Sequence, residues 1–196
     1  MNDVLKNIYA RRSVRSYSNK KVPDEAIKDI LTAGIYAPSG MNVQALRFVV
    51  LENKERIDLY SGVAKELFIA GMIKNRSKDE PVPENIQGMI RTLSNPDFHL
   101  FYHAPVVVFV FAHPSARTPI EDASTAVENM FLYARSLGIG SCWIGFASAL
   151  AHSPEFLKEC QVPSDHKLVA QFILGYPMGE FPERKRNEPQ IVNWIR

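Results

Sequence analysis

The stretch "APVVVFVFA", residues 104–112, decides the fold. Valines at 106, 107, 108 and 110 and phenylalanines at 109 and 111, with no charge among them, have the composition of a strand buried on both faces. The run is far too short for a membrane-spanning helix, which needs about 20 apolar residues. It therefore predicts the central strand of a sheet with covering layers on both sides.

Working outward, "TPIEDASTAVENMFLYARSLGIG" (118–140) reads as a long helix. Thr118 is placed as N-cap, Pro119 at the first helical position and Glu121 as the return half of a capping box. Gly138 is its stop. "SCWIGF" (141–146) follows as a strand or strand end, "SPEFLKEC" (153–160) starts a short helix with Ser153 and Pro154, and "KLVAQFILGY" (167–176) is the last strand.

Before the central run, "NDVLKNIYA" (2–10) and "VPDEAIKDILTAGIYAPSG" (22–40) carry apolar residues at helical spacing, and "LRFVVL" (46–51) suits a buried strand. Asn53 is positioned to cap a third helix over 54–73. The polar, proline-punctuated span 74–99 reads as a mobile excursion, a lid with a short helix inside. The tail from 176 to 196 is expected on the surface or on a partner. Helices and strands mix without strict βαβ alternation, so the class is α+β: one domain, 1–196, with helices around one mixed or antiparallel sheet.

Bulk composition narrows the function. Twenty-three basic residues against 21 acidic ones leave a net charge of +2, so neither nucleic acid nor a membrane is an indicated partner. Cys142 and Cys160 lack CxxC spacing and read as reduced thiols of a cytoplasmic protein.

Against that neutral background "RRSVRSY" (11–17) is a local concentration of charge. If it is extended, Arg11, Ser13 and Arg15 share a face at period two. Two guanidinium forks and a hydroxyl there match phosphate oxygens. A plain alternative is a solvated helix end. Arg184, Lys185 and Arg186 form a second cluster, able to reach the same anion.

"APSGMNVQALRF" (37–48) serves equally as a helix stop and turn, but Asn42 and Gln44 add amides, which pair donor and acceptor as the edge of a pyrimidine-like ring does. "GIGSCWIGF" (138–146) fails the dinucleotide fingerprint, because it ends a helix instead of opening one. Close backbone approach to a flat ligand at Gly145 stays open. His99 and His103 lack a third metal ligand, so no metal is assigned. Asp165 and His166 with Cys160 are not an activated set. Trp143 and Phe146 read as core.

In this order the stretches resemble the nitroreductase family of FMN-dependent oxidoreductases: "RRSVRSY", "APSGMNVQALRFVV", "APVVVFVF", "DASTAVENMFLYARSLGIGSCWIGF", "LGYP" and a late basic pair, over residues 4–186. The resemblance implies an intertwined homodimer with tightly but non-covalently bound FMN at the subunit interface. It implies Arg11 and Ser13 at the phosphate, Arg12 against the cofactor, and Arg15 at the pyrimidine edge, where a cation favours the reduced flavin. Pro38, Ser39, Gly40 and Asn42 would come from the other subunit, and Gln44 would join the cofactor site through its amide. The backbone of Ile144 and Gly145 would lie by flavin N5, and Arg184 and Arg186 would complete the phosphate site.

Two departures stand out. Ile144 replaces an acidic residue of many relatives, and only Asn95 and His99 lie where many have an asparagine and a lysine. The implied activity is electron transfer from NAD(P)H to nitroaromatic, quinone or related small acceptors by a ping-pong mechanism, with no catalytic side chain required. Alternatives are a dehalogenating or flavin-fragmenting enzyme on the same fold, or a phosphate- or nucleic-acid-binding module.

Overall fold

The computed structural model describes residues 1–74 and 82–196. Its strands are β1 (Leu46–Leu51), β2 (Val106–Ala112), β3 (Gly140–Trp143) and β4 (Lys167–Gly175). They form one sheet in the order β1-β2-β4-β3 with every pairing antiparallel. The helices are α1 (Asp3–Ala10), α2 (Asp24–Ile35), α3 (Lys54–Lys74), α4 (Glu84–Ser94), α5 (Pro119–Ser136) and α6 (Pro154–Glu159), with 3-10 segments at Gly40–Asn42 and Gly145–His152.

All seven residues of β2 are buried, as its composition predicts. Period two divides them. Val107, Phe109 and Phe111 join Ile57, Tyr60, Phe101 and Phe156 on one face, while Val106, Val108 and Val110 join Ile30, Met130 and Phe172 on the other. An antiparallel sheet can leave one face wet. Here α2 and α5 cover one side, and α3, α6 and the second 3-10 segment the other.

Local chemistry sets the boundaries. The Asn2 side chain accepts the Leu5 N–H at 2.9 Å to open α1, Asn53 does the same for Arg56 at 2.9 Å to open α3, and Ser153 accepts from Phe156 at 3.2 Å to open α6. Gly138, at φ 72°, ends α5 in the left-handed conformation that glycine adopts without strain. The capping box expected at α5 does not form. Thr118 makes no cap bond; its hydroxyl instead donates to the Asp122 carboxylate at 2.9 Å. The span 74–99 contains α4, the short helix expected inside it, and its residues 75–81 lie outside the described residues.

The 11–17 segment meets the open edge of β3 at Ser13 and Val14 and the chain just beyond β4 at Tyr17, which bridges Pro177. Ser13 bridges Ser141 in parallel, and the Val14 N–H donates to the Ser141 carbonyl at 2.9 Å. Val14 is buried against Gly140, where an added Cβ would sit 2.7 Å from a Val14 methyl. G140A is therefore expected to cost about 1–3 kcal/mol of stability by overpacking. Urea denaturation should show that cost, and V14A combined with it should cost less than the two changes summed. Among the described residues no helix is long and apolar enough to cross a membrane.

Candidate active site

The extended arginine segment shows the period-two division. Ser13 and Arg15 are exposed and Val14 is buried. Arg12 turns away from its neighbours: its Nε donates to the Pro182 carbonyl at 3.0 Å and its Nη1 to the Arg11 carbonyl at 2.8 Å. Arg12 thus ties the tail through Nε and its own segment through Nη1, and its Nη2 makes no hydrogen bond among the described residues.

Arg11 and Arg15 differ in their surroundings. Arg11 Nε pairs with Glu128 at 3.1 Å, and its guanidinium lies 5.9 Å from the centre of the Phe131 ring. Arg15 has no carboxylate partner among the described residues. Its guanidinium lies 5.8 Å from the centre of the Tyr102 ring. Below the segment, the Tyr17 hydroxyl donates to the Val14 carbonyl at 2.6 Å, and burial pushes that phenol's pKa up, so the bond persists at any working pH.

Arg15, Ile144 and Gly145 meet at one cleft of about 410 Å³. The remaining walls are apolar or aromatic: Phe68, Phe98, Leu100, Tyr102, Trp143 and Phe146. Phe68 and Phe146 pack edge to face at 4.9 Å, and Phe98 and Tyr102 at 5.8 Å. Gly145 opens onto space, since an added Cβ would meet nothing within 4 Å. A flat ring with one electron-rich edge suits such a cleft. A second pocket, of about 250 Å³, is lined by Arg11, Arg12 and Ser141.

The other site residues named from the sequence lie elsewhere on the chain. Pro38, Ser39 and Gln44 line a separate hollow of about 180 Å³ beside the end of α2, with Arg47 and Asp122. Gly40 and Asn42 belong to the 3-10 turn, where Met41 and Asn42, and Gln44 just after it, take positive φ near 54°. The turn is tied to α5 because the Gly40 N–H donates to buried Asp122 at 3.0 Å. Arg184 and Arg186 are exposed on the tail, where Arg186 Nη1 donates to the Arg184 carbonyl at 3.3 Å.

Some contributions were missed. Trp143, read as core, is 37% exposed and forms cleft wall with half-buried Phe146. Tyr102, Phe98 and Phe68 carried no sequence signal beyond being aromatic. Asn95 and His99 do not line the cleft. The Asn95 side chain accepts the Asp97 N–H at 2.9 Å.

His99 and His103 do acquire a third group, Asp58, whose carboxylate lies 3.1 Å from His99 Nε2. The other His99 nitrogen accepts the His103 N–H at 3.2 Å, so one ring nitrogen staples the 95–103 loop to α3 and the other braces the loop itself. Burial and then His103 hold the His99 pKa below the usual imidazole range.

Neither cysteine is an activated thiol. Burial raises the pKa of Cys142, and burial with nearby Glu159 pushes Cys160 up to about 11. Alkylation of the native protein by iodoacetamide at neutral pH should therefore be at least tenfold slower than in urea, as thiol counting over time would show.

With this geometry in view, the comparisons fall into one group. The model of the Nitroreductase family matches residues 8–176. The crystal structure of a nitroreductase with bound FMN from Bacteroides fragilis superposes with a TM-score of 0.82 at 32% identity, covering 100% of both chains. A protein of Archaeoglobus fulgidus named for NADH dehydrogenase/NAD(P)H nitroreductase activity is 31% identical over 180 residues, 92% of this chain and 88% of its own. An iodotyrosine deiodinase of Thermotoga neapolitana is 26% identical over 189 residues, 91% of this chain and 90% of its own. The match over the arginine segment, the central strand and the Ile144–Gly145 corner makes this chain a member of the nitroreductase family.

Proposed function

We propose that two copies of this chain bind FMN between them and that the holoprotein passes electrons from NAD(P)H to a small aromatic acceptor, a nitro compound or a quinone, by a ping-pong mechanism. The observation that carries this reading is the meeting of Arg15, Ile144 and Gly145 at one aromatic-walled cleft. The donor set fits the cofactor: a guanidinium without a carboxylate partner among the described residues, an open glycine corner and flat apolar walls.

When bound, FMN supplies the hydride chemistry. The chain's own residues bind, orient and exclude water. Arg15 fixes a positive charge where the pyrimidine edge gains negative charge. Arg11 and Ser13 hold the phosphate, with Glu128 steering the Arg11 guanidinium until a phosphate displaces or shares it. The aromatic walls keep water from the reacting face, which strengthens each electrostatic contact.

Homodimerisation is part of the same reading. Val4, Ile8 and Tyr9 leave an apolar face of α1 exposed, and an open groove of about 1,020 Å³ runs between α1, α2 and α5. Ile191, Val192, Trp194 and Ile195 on the tail are likewise exposed. Such apolar area on a single chain favours a protein partner. A second copy would also carry the Pro38–Gln44 turn to the arginine segment, which one chain alone does not do.

The purified protein should be yellow, sediment as a dimer, release FMN on denaturation, and oxidise NAD(P)H only when a nitro compound or quinone is added. A colourless protein whose melting temperature and activity ignore added FMN would overturn the reading. The deiodinase relative favours one alternative acceptor, a halogenated tyrosine, and halide release in the same assay would reveal it.

A further inference from the structure

Strand β4 carries one polar side chain in its buried interior, Gln171, which is 4% exposed between Ala170 and Phe172. A buried amide is costly unless its hydrogen bonds are made. Its bonds all go to one place. Gln171 Nε2 donates to the Ile144 carbonyl at 2.9 Å and, more weakly, to the Gly145 carbonyl at 3.4 Å, while its main-chain carbonyl accepts the Ile144 N–H at 3.0 Å.

The consequence follows from peptide geometry. A trans peptide is planar, with its C=O and N–H pointing in opposite directions, and no peptide here is cis. Pinning the Ile144 carbonyl toward Gln171 therefore turns the Gly145 N–H the other way, and pinning the Gly145 carbonyl does the same for the Phe146 N–H. Neither N–H has a backbone acceptor among the described residues. Both residues line the cleft that holds Arg15.

We propose that Gln171 is a positioning residue that fixes the polarity of this cleft edge, so that it offers N–H donors, and no carbonyl, to the bound flavin. The inference rests on the flavin reading above. The redox-active ring nitrogen accepts a hydrogen bond when oxidised and carries a proton when reduced. An edge made of donors favours the oxidised form. If the carbonyls were released to turn outward, they would favour the reduced form and raise the potential.

Redox titration of the flavin bound to wild type, Q171M and Q171E tests this. Q171M keeps the side-chain length and removes the donor. Its potential should rise by about 30 mV, a tenfold change in the relative affinity for the two forms of a two-electron couple. Q171E can donate only as the neutral acid, which burial favours. Its offset from wild type at the same pH should be small in acid and grow as pH rises.

A flavin-loaded Q171M at the wild-type potential, or a Q171E offset already at its full size in acid, overturns the proposal. Should Q171M fail to fold, the Q171E profile decides alone. A wild-type protein that takes up no flavin sinks the flavin reading and this inference together. That outcome is distinct from a loaded wild type with silent variants.

Discussion

Replacing Arg15 with alanine is expected to weaken FMN binding by about 10- to 100-fold, the span of a hydrogen bond to a charged group, with little change in melting temperature. The side chain is exposed, and its one aromatic contact is Tyr102 at 5.8 Å, so the fold does not depend on it. The cleft does, because Arg15 is the sole cation among the described residues that line it. Arg15→Lys should recover part of the affinity, since it restores the charge without the planar fork. Fluorescence titration of FMN into apoprotein, beside a thermal melt, separates the two effects. Equal affinity in all three proteins would remove Arg15 from the site.

A change beneath the cleft should act in the opposite sense. Phe109→Ala is expected to cost about 3–5 kcal/mol, because a fully buried ring is lost from a core that cannot collapse onto the gap. The ring centre sits 4.7 Å from that of Phe156 on α6 and 6.2 Å from that of Phe101, both edge to face and both fully buried. For a chain of this size that is a fall of about 6–20 °C in melting temperature, against a total stability of about 5–15 kcal/mol. Calorimetry measures it. The folded fraction should keep wild-type FMN affinity, so lost cofactor would track lost fold, unlike the Arg15 variant.

Why these two positions were legible, and others not, has a physical basis. Strand β2 announced itself because a residue buried on both faces has no choice of chemistry; "LRFVVL", expected as a buried strand from its composition, is instead a half-buried edge strand with Arg47 exposed. The exposure of Ser13 and Arg15 on either side of buried Val14 was legible because extended backbone alternates faces. Capping at Asn2, Asn53 and Ser153 is a local bond between residues three apart. The box at Thr118 failed because a long-range demand prevailed: Asp122 collects both the Thr118 hydroxyl and the Gly40 N–H, a contact across 82 positions that no local pattern displays.

The cleft walls were illegible for a related reason. Trp143 and Phe146 flank a strand end, where an aromatic can turn to the core or to a cavity with the same local signature. The fate of Gln171 was equally hidden, since only the pairing of β3 with β4 puts it beside Ile144. Asn95 and His99 were near the right place in the chain. Their side chains are spent on the loop and on α3.

Helix α5 carries two of the attachments described above. Asp122 anchors the turn at Gly40, and six positions on, Glu128 grips Arg11. At about 1.5 Å per residue these anchors are roughly 9 Å apart along the axis, on a rod whose buried face is fixed by Met130 and Ala134. The helix is in effect a jig with two clamps. A slip of a single turn would misplace both fixtures by the same amount, so their spacing belongs to the rod and not to the surface chain that each one grips.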